Sequence, residues 1–357
     1  MQRIKQRIYT SEFRVEAVKL AETTGPSVAK QARGSACLHR LPAAAAFILP
    51  VLIATPIHAQ KYPEKTIRFI SPYPTGASQI LALLISEKLG AALGQPVYAD
   101  FRPGAGGNIG MELAAKAPPD GYTLLQTSAS MAIGPSLYKK LSFNALRDFQ
   151  PIAQTANVPN VIVIHPSVPA KTLKELVQVA KANPGKLSYG SGGVGSSNHL
   201  ASEMLKAMAG INMIHVPYKG ASIALTHILS GEIDVVTVTV PATIPFVNSG
   251  KLRGLAVLAG ARVPTLPNVP SSKEAGFADL LCDSWYGVKA PTGVRADIVD
   301  RLNSELKKIM HAPETVKQLA RVGIDVVTSS PAEFQAFVKA DTERWAKVIR
   351  EANIRIE

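Results

Sequence analysis

Lys186-Leu-Ser-Tyr-Gly-Ser-Gly-Gly-Val-Gly-Ser-Ser-Asn-His-Leu-Ala-Ser-Glu-Met-Leu-Lys-Ala-Met208 decides how this chain folds. Lys186–Tyr189 reads as a short strand, the glycines and serines that follow as a turn, and His199–Met208 as a helix. A strand passing through a tight turn into a helix is one βα unit of a parallel sheet. The unit occurs earlier as well. Val97–Phe101 reads as a strand, Arg102-Pro-Gly-Ala-Gly-Gly-Asn-Ile-Gly110 holds the turn, and a helix runs from Ile109 to Lys116.

The alternation extends outward from both. Thr66–Ile70 alternates apolar and polar as a strand does. After the loop Ser71–Ser78, Gln79–Leu93 reads as an apolar-faced helix stopped by Gly94. Tyr122–Gln126 is a third strand, ending at Thr127-Ser-Ala-Ser. A second set starts at the strand Val161–Ile164 and the helix Leu173–Asn183. Strands near Ile214–Val216, Ile233–Val238 and Arg253–Leu258 continue it, and helices around Ala296–Met310, Glu314–Arg321 and Ala332–Ala352 close the chain. This order predicts an α/β protein built of doubly wound, mainly parallel sheets flanked by helices. Two such sets predict two similar lobes, with crossings near Ala156–Asn160 and Pro291–Gly293.

Ahead of these sets lies an uncharged apolar run, Leu41 to Ile57, preceded by Arg40 and followed by His58-Ala-Gln60. A basic flank, an apolar stretch and a small-residue end make a secretory leader, with cleavage expected between Ala59 and Gln60. Pro42, Pro50 and Pro56 argue against a spanning helix, which needs about 20 apolar residues. The 357-residue chain carries a formal charge of +13, part of it ahead of Gln60. No Lys/Arg block with interleaved aromatics appears beyond that point, so no nucleic-acid partner is expected for the mature part. Cys37 precedes the apolar run and Cys282 stands alone after cleavage, which excludes a disulfide framework and cysteine-built metal sites.

The chemistry has few places to sit. The glycines at 104, 106, 107 and 110 miss the dinucleotide fingerprint, and no Lys-Ser/Thr follows to make a phosphate loop. Neither Ser191 nor Ser196 has a glycine two residues before it, so there is no nucleophile elbow. The seven histidines include no HExxH and no pair at helical spacing. No metal and no cofactor is expected. What the two glycine-rich turns supply is backbone N–H groups at a helix start with serine hydroxyls beside them, a combination that holds a carboxylate without a cationic side chain. The alternative is that these glycines serve only to make tight turns. Tyr218 is read as either a ligand contact or a core residue, and Trp285-Tyr286 as packing at an interlobe crossing.

From Tyr62 to Ile356 the chain resembles the solute receptors of tripartite tricarboxylate transporters, the Bug-type periplasmic binding proteins. The likeness rests on ordered blocks: Arg102-Pro-Gly-Ala-Gly-Gly-Asn-Ile-Gly, Pro119-Asp-Gly-Tyr-Thr-Leu-Leu, Pro184-Gly-Lys-Leu-Ser-Tyr, Gly195-Ser-Ser-Asn-His-Leu, Val216-Pro-Tyr-Lys-Gly and Ser284-Trp-Tyr-Gly among them. The resemblance implies a two-lobed, type II flytrap that closes on a small carboxylated solute and passes it to membrane permease subunits. It implies a monomer with no enzymatic activity. Lobe 1 would comprise residues 60–157 and 289–357, and lobe 2 residues 158–288. The ligand contacts it implies are Tyr73, Thr75, Gly76, Ala77 and Gln79 of the first loop and Ser128 and Ala129 nearby. Opposite them would stand Ser191, Gly193, Ser196 and Tyr218.

The first loop departs from the family pattern. Tyr73–Gln79 is one residue shorter than the usual Phe-x-Pro/Ala-Gly-Gly-x-x-Asp, and both the second glycine and the acidic residue are missing. Leu83 stands where an arginine is common. A neutral Gln79 in place of aspartate suits a ligand without an amine, and the alternative is that the loss of the glycine N–H weakens the clamp and impairs binding. Residues 1–33 are a separate matter: Tyr9-Thr-Ser-Glu-Phe-Arg-Val-Glu-Ala-Val18 resembles the opening helix-turn-helix of insertion-sequence transposases, and the stretch reads as a fusion remnant ahead of a leader at 34–59. Two other functions stay open at this point, an exported serine hydrolase using Ser196 and His199 and a DNA-binding sensor using residues 1–33.

Overall fold

The computed structural model describes residues 62–351 and Ile354; the apolar run 41–57, the stretch 1–33 and the Ala59–Gln60 junction lie outside them. The chain starts with β1 (Ile67–Ser71), α1 (Gly76–Leu93), β2 (Val97–Phe101), α2 (Asn108–Ala115), β3 (Thr123–Ser128) and α3 (Ala129–Leu137). β4 (Phe149–Ile164) follows, and then the pattern repeats. α4 (Leu173–Ala182) leads to β5 (Ser188–Ser191), α5 (Ser197–Ala209), β6 (Ile214–Pro217), α6 (Ala221–Leu229), β7 (Val235–Thr239) and α7 (Val240–Asn248). β8 (Arg253–Val257), β9 (Asp283–Pro291), α8 (Ala296–His311), α9 (Pro313–Ala320), β10 (Asp325–Val326) and α10 (Pro331–Glu351) complete it.

Each lobe is organised around three parallel strands, with the first in the middle: β2-β1-β3 in one lobe and β6-β5-β7 in the other. The longer connections run antiparallel to them. β9 inserts between β3 and the first half of β4, while the second half of β4 lies between β7 and β8. β4 therefore belongs to both sheets, pairing with β9 up to Pro159 and with β7 from Asn160. The return to the first sheet comes at Asp283, where β9 starts, ahead of Pro291–Gly293, which lies at the far end of that strand.

Asn160 ties the two crossings together. Its buried side chain donates to the Cys282 carbonyl at 2.9 Å and accepts from Asn198 Nδ2 at 2.9 Å. Its backbone carbonyl accepts from Leu258 N–H at 2.7 Å.

The first half of β4 and all of β9 carry no readable strand period. β4 holds Pro151 and Pro159, and its register against β9 slips at Pro151/Ala153 and again at Gln154/Ala156. Such irregularities are where a sheet accommodates proline. β9 is buried along nearly its whole length, so no polar residue marks an outer face. The same cause hides α3, whose Ala129–Ile133 is wholly buried and which contains Pro135. Three apolar cores result. One packs α1, α8 and α9 on the first sheet, one packs α6 and α7 on the second, and a third runs from α2, α3 and α10 into α4 and α5.

Candidate ligand-binding site

In a parallel βα unit the carboxyl end of each strand hands the chain to the N-terminus of a helix, and ligands gather at those ends. Here six helices start at one place. The N-caps or first residues of α1, α2 and α3 from one lobe, and of α5, α6 and α7 from the other, line a single cavity of about 290 Å³. None of the six has an acidic residue in its first turn, and α1, α2, α6 and α7 have no side chain capping their free N–H groups. Each helix start attracts an anion with about 0.3–1 kcal/mol. Among the described residues no aspartate or glutamate lines the cavity, and Lys219 is its only lysine or arginine. The positive field comes from backbone N–H groups together with Lys219.

On the first lobe a buried polar cluster holds the loop. Ser71 and Ser78 both donate to Gln126 Oε1, at 2.6 and 2.8 Å, and Gln126 Nε2 returns a bond to the Ser78 carbonyl at 3.1 Å. This fixes where β1 becomes α1, so Thr75 and Gly76 reach the cavity. The Tyr73 hydroxyl is hydrogen-bonded to the Ser130 hydroxyl. Burial raises the Tyr73 phenol, more than its bonds to Ser128 and Ser130 lower it, so it stays protonated. Ser128 caps α3 through the Ser130 N–H.

On the second lobe the glycine turn is braced from below. Ser191 Oγ accepts the Gly193 N–H at 3.1 Å and is bonded to His215 Nε2 at 2.7 Å. His199 Nδ1 accepts the Gly195 N–H at 3.4 Å. Ser196 Oγ donates to the Gly193 carbonyl at 2.7 Å and caps α5 through the His199 N–H at 3.3 Å. The N–H groups of Gly193 and Gly195, expected to be bare, are therefore already taken; what the turn presents to a ligand is the start of α5. Ser196 is not bonded to the His199 ring, so no nucleophile–base pair exists there, and the Ser191–His215 pair lies behind the turn with Ser191 fully buried. Cys282 is a packed thiol, pushed up to about 12 by burial.

Of the residues singled out from sequence, Tyr73, Thr75, Gly76, Ser128, Gly193, Ser196 and Tyr218 line the cavity. Ala77, Ala129 and Ser191 are buried behind it. Gln79 is exposed and points elsewhere, because α1 starts at Gly76 and Ser78, not Gln79, faces the cavity. Trp285 and Tyr286 divide, as neighbours on a strand must. Trp285 donates to Asp341 Oδ2 at 2.7 Å among Phe334 and Phe337, while Tyr286 lines the cavity. Sequence reasoning missed Ser130, Tyr138, Ser222 and Thr239. Thr239 had a signal: it ends a buried strand two residues before Pro241, a proline placed as at a helix start.

A cavity between two βα lobes, ringed by helix starts, has the layout of a solute-binding receptor. Residues 81–354 match the family described as "Tripartite tricarboxylate transporter family receptor", and the chain belongs to it. Protein BugT of Bordetella pertussis is 33% identical over 314 residues, covering 87% of this chain and 96% of that protein. The structure of the periplasmic binding protein BugD superposes with a TM-score of 0.79 at 31% identity, over 83% of this chain and 100% of that one. The R. palustris protein Rpa4515, solved with adipate, gives a TM-score of 0.80 at 31% identity, over 82% and 99% of the two chains.

Proposed function

We propose that this chain is an exported receptor that captures a small carboxylate by lobe closure and delivers it to a tripartite tricarboxylate-type membrane permease. The observation that carries this reading is the convergence of six helix N-termini on one cavity without an acidic side chain. An anion entering that field binds both lobes at once and so favours the closed arrangement over the open one. Tyr73, Thr75, Gly76, Ser128 and Ser196 are the ligand contacts we assign, with Gly193 and Tyr218 shaping the opposite wall. The structure of a relative with adipate supports the carboxylate class. Lobe 2, expected over residues 158–288, is taken to end at Cys282, where β9 returns to the first sheet, and lobe 1 as residues 60–157 and 283–357, with the leader removed near Ala59–Gln60 and the mature receptor acting as a monomer in the periplasm.

The ligand in this reading lacks an ammonium group, because nothing acidic in the cavity would pair with one. A thermal-shift panel of mono- and dicarboxylates, each beside its amide and its α-amino analogue, tests the whole proposal. Stabilisation by acids alone is the expected result. A chain stabilised by none of the acids, or by amides equally, is not such a receptor.

A further inference from the structure

The two glycine-rich turns touch each other across the cleft. A Cβ on Gly106 would collide with the Val194 carbonyl oxygen, and one on Gly193 would lie 3.7 Å from the Gly106 nitrogen. Backbone therefore meets backbone, and only glycine lets it. Over this contact lies Tyr138, the residue that ends α3. Its O–H donates to the Val194 carbonyl at 2.8 Å, with the Ala105 carbonyl at 3.3 Å, so one phenol bonds to both turns. Gly195 completes the fit, since a Cβ there would stand 3.0 Å from the Tyr138 ring. Burial raises the Tyr138 phenol, which stays a donor at neutral pH.

We propose that Gly106 and Tyr138 form an interlobe clasp and are positioning residues for ligand capture. They set affinity through the closed state, independently of the helix starts that face the anion. The proposal rests on the receptor reading for its consequence, although the clasp itself is a property of the two lobes. A bond that exists only when the lobes are shut does not help the ligand arrive. It slows its escape.

The experiment uses the full chain, with adipate as probe, and follows binding by stopped-flow tyrosine and tryptophan fluorescence. Tyr138→Phe removes one neutral hydrogen bond, worth about 1 kcal/mol, so adipate should leave about fivefold faster with an unchanged association rate. Gly106→Ala should weaken binding at least tenfold. Gly94→Ala is the control: its φ of +70° matches the +63° of Gly106, but nothing lies within 4 Å of the added carbon, so affinity should be unchanged. Unaltered dissociation in Tyr138→Phe, or a change confined to association, overturns the clasp. If adipate does not bind the native chain, small-angle scattering of the ligand-free proteins decides the clasp, while the acid panel decides the receptor reading. A larger radius of gyration for Gly106→Ala than for the native chain supports the clasp, and equal radii overturn it.

Discussion

His199 and His215 stack face to face beneath the second glycine turn, their ring centroids 4.3 Å apart and their planes 24° from parallel. Tyr189 stacks on His215 at 4.7 Å and lies 6.5 Å from His199, and Glu203 and Lys206 on α5 are paired with each other at 2.7 Å beside them. Both imidazoles are held down to about 4, chiefly by burial. Two stacked cations are unfavourable, and a protonated His199 loses the lone pair that accepts the Gly195 N–H.

The folded values lie below the ordinary value of 6.5, so the unfolded chain binds more protons between about pH 4 and 6.5. Stability from this pair is complete above 6.5 and is lost as the pH falls toward 4. The loss is on the order of 2 kcal/mol for His199, the more buried of the two. Thermal unfolding across that range should show a falling midpoint, and His215→Gln should flatten it. A native profile without slope would show that the rings titrate freely.

Lys289 gives the opposite end of the pH scale. Its ammonium is fully buried in β9 with no hydrogen-bond partner among the described residues, facing the Phe334 ring at 5.6 Å, and desolvation lowers it to about 8. Below that value a charge is buried at a cost of a few kcal/mol. Stability should therefore rise as pH climbs from about 8 toward 10.5, where the folded chain has shed a proton that the unfolded chain keeps. Lys289→Met is expected to stabilise the protein by about 2 kcal/mol at neutral pH, and by less near pH 10, in urea unfolding. A less stable variant at neutral pH would mean that the ammonium has a partner in solution.

Asn160 bonds three elements where the sheets exchange strands. Asn160→Ala leaves Asn198 Nδ2 and the Cys282 carbonyl without this partner in a buried setting. A loss of about 2–3 kcal/mol in urea unfolding is expected. A loss under about 0.5 kcal/mol would mean that these bonds do not hold the crossing together.

Ser196 braces its turn and caps α5, and in the proposed receptor it also contacts the ligand. Ser196→Ala removes the α5 cap and the bond to the Gly193 carbonyl, and should lower stability by about 1 kcal/mol. In isothermal titration with adipate the variant should also bind more weakly. Lost stability with unchanged affinity would make Ser196 a brace of the turn only.

Much of the fold was legible because its βα units announce themselves. Lys186–Met208 and Val97–Lys116 showed strand, glycine turn and helix in order, and the structure reproduces both within a few residues. The strands that join the lobes were not legible. β9 and the first half of β4 are covered on both faces or broken by proline, and neither leaves a period of two. At the site, Thr75 and Ser128 lie next to a strand end, and both line the cavity. Gln79 was misplaced by the late start read for α1. Tyr138 was missed because nothing local distinguishes a tyrosine that closes a cleft from one that ends a helix.

By itself the sequence determined that each lobe is a set of parallel βα units and that glycine-rich turns open its helices. Periodicity and turn chemistry act over a few neighbouring residues, and one strand suffices to display them. The tertiary structure alone decided that six of those helix starts face one cavity and that Gly106 meets Val194. It also decided that the Gly193 and Gly195 N–H groups are already held by Ser191 and His199. Those outcomes depend on where β4 and β9 cross between sheets, and so on pairings between residues more than a hundred positions apart.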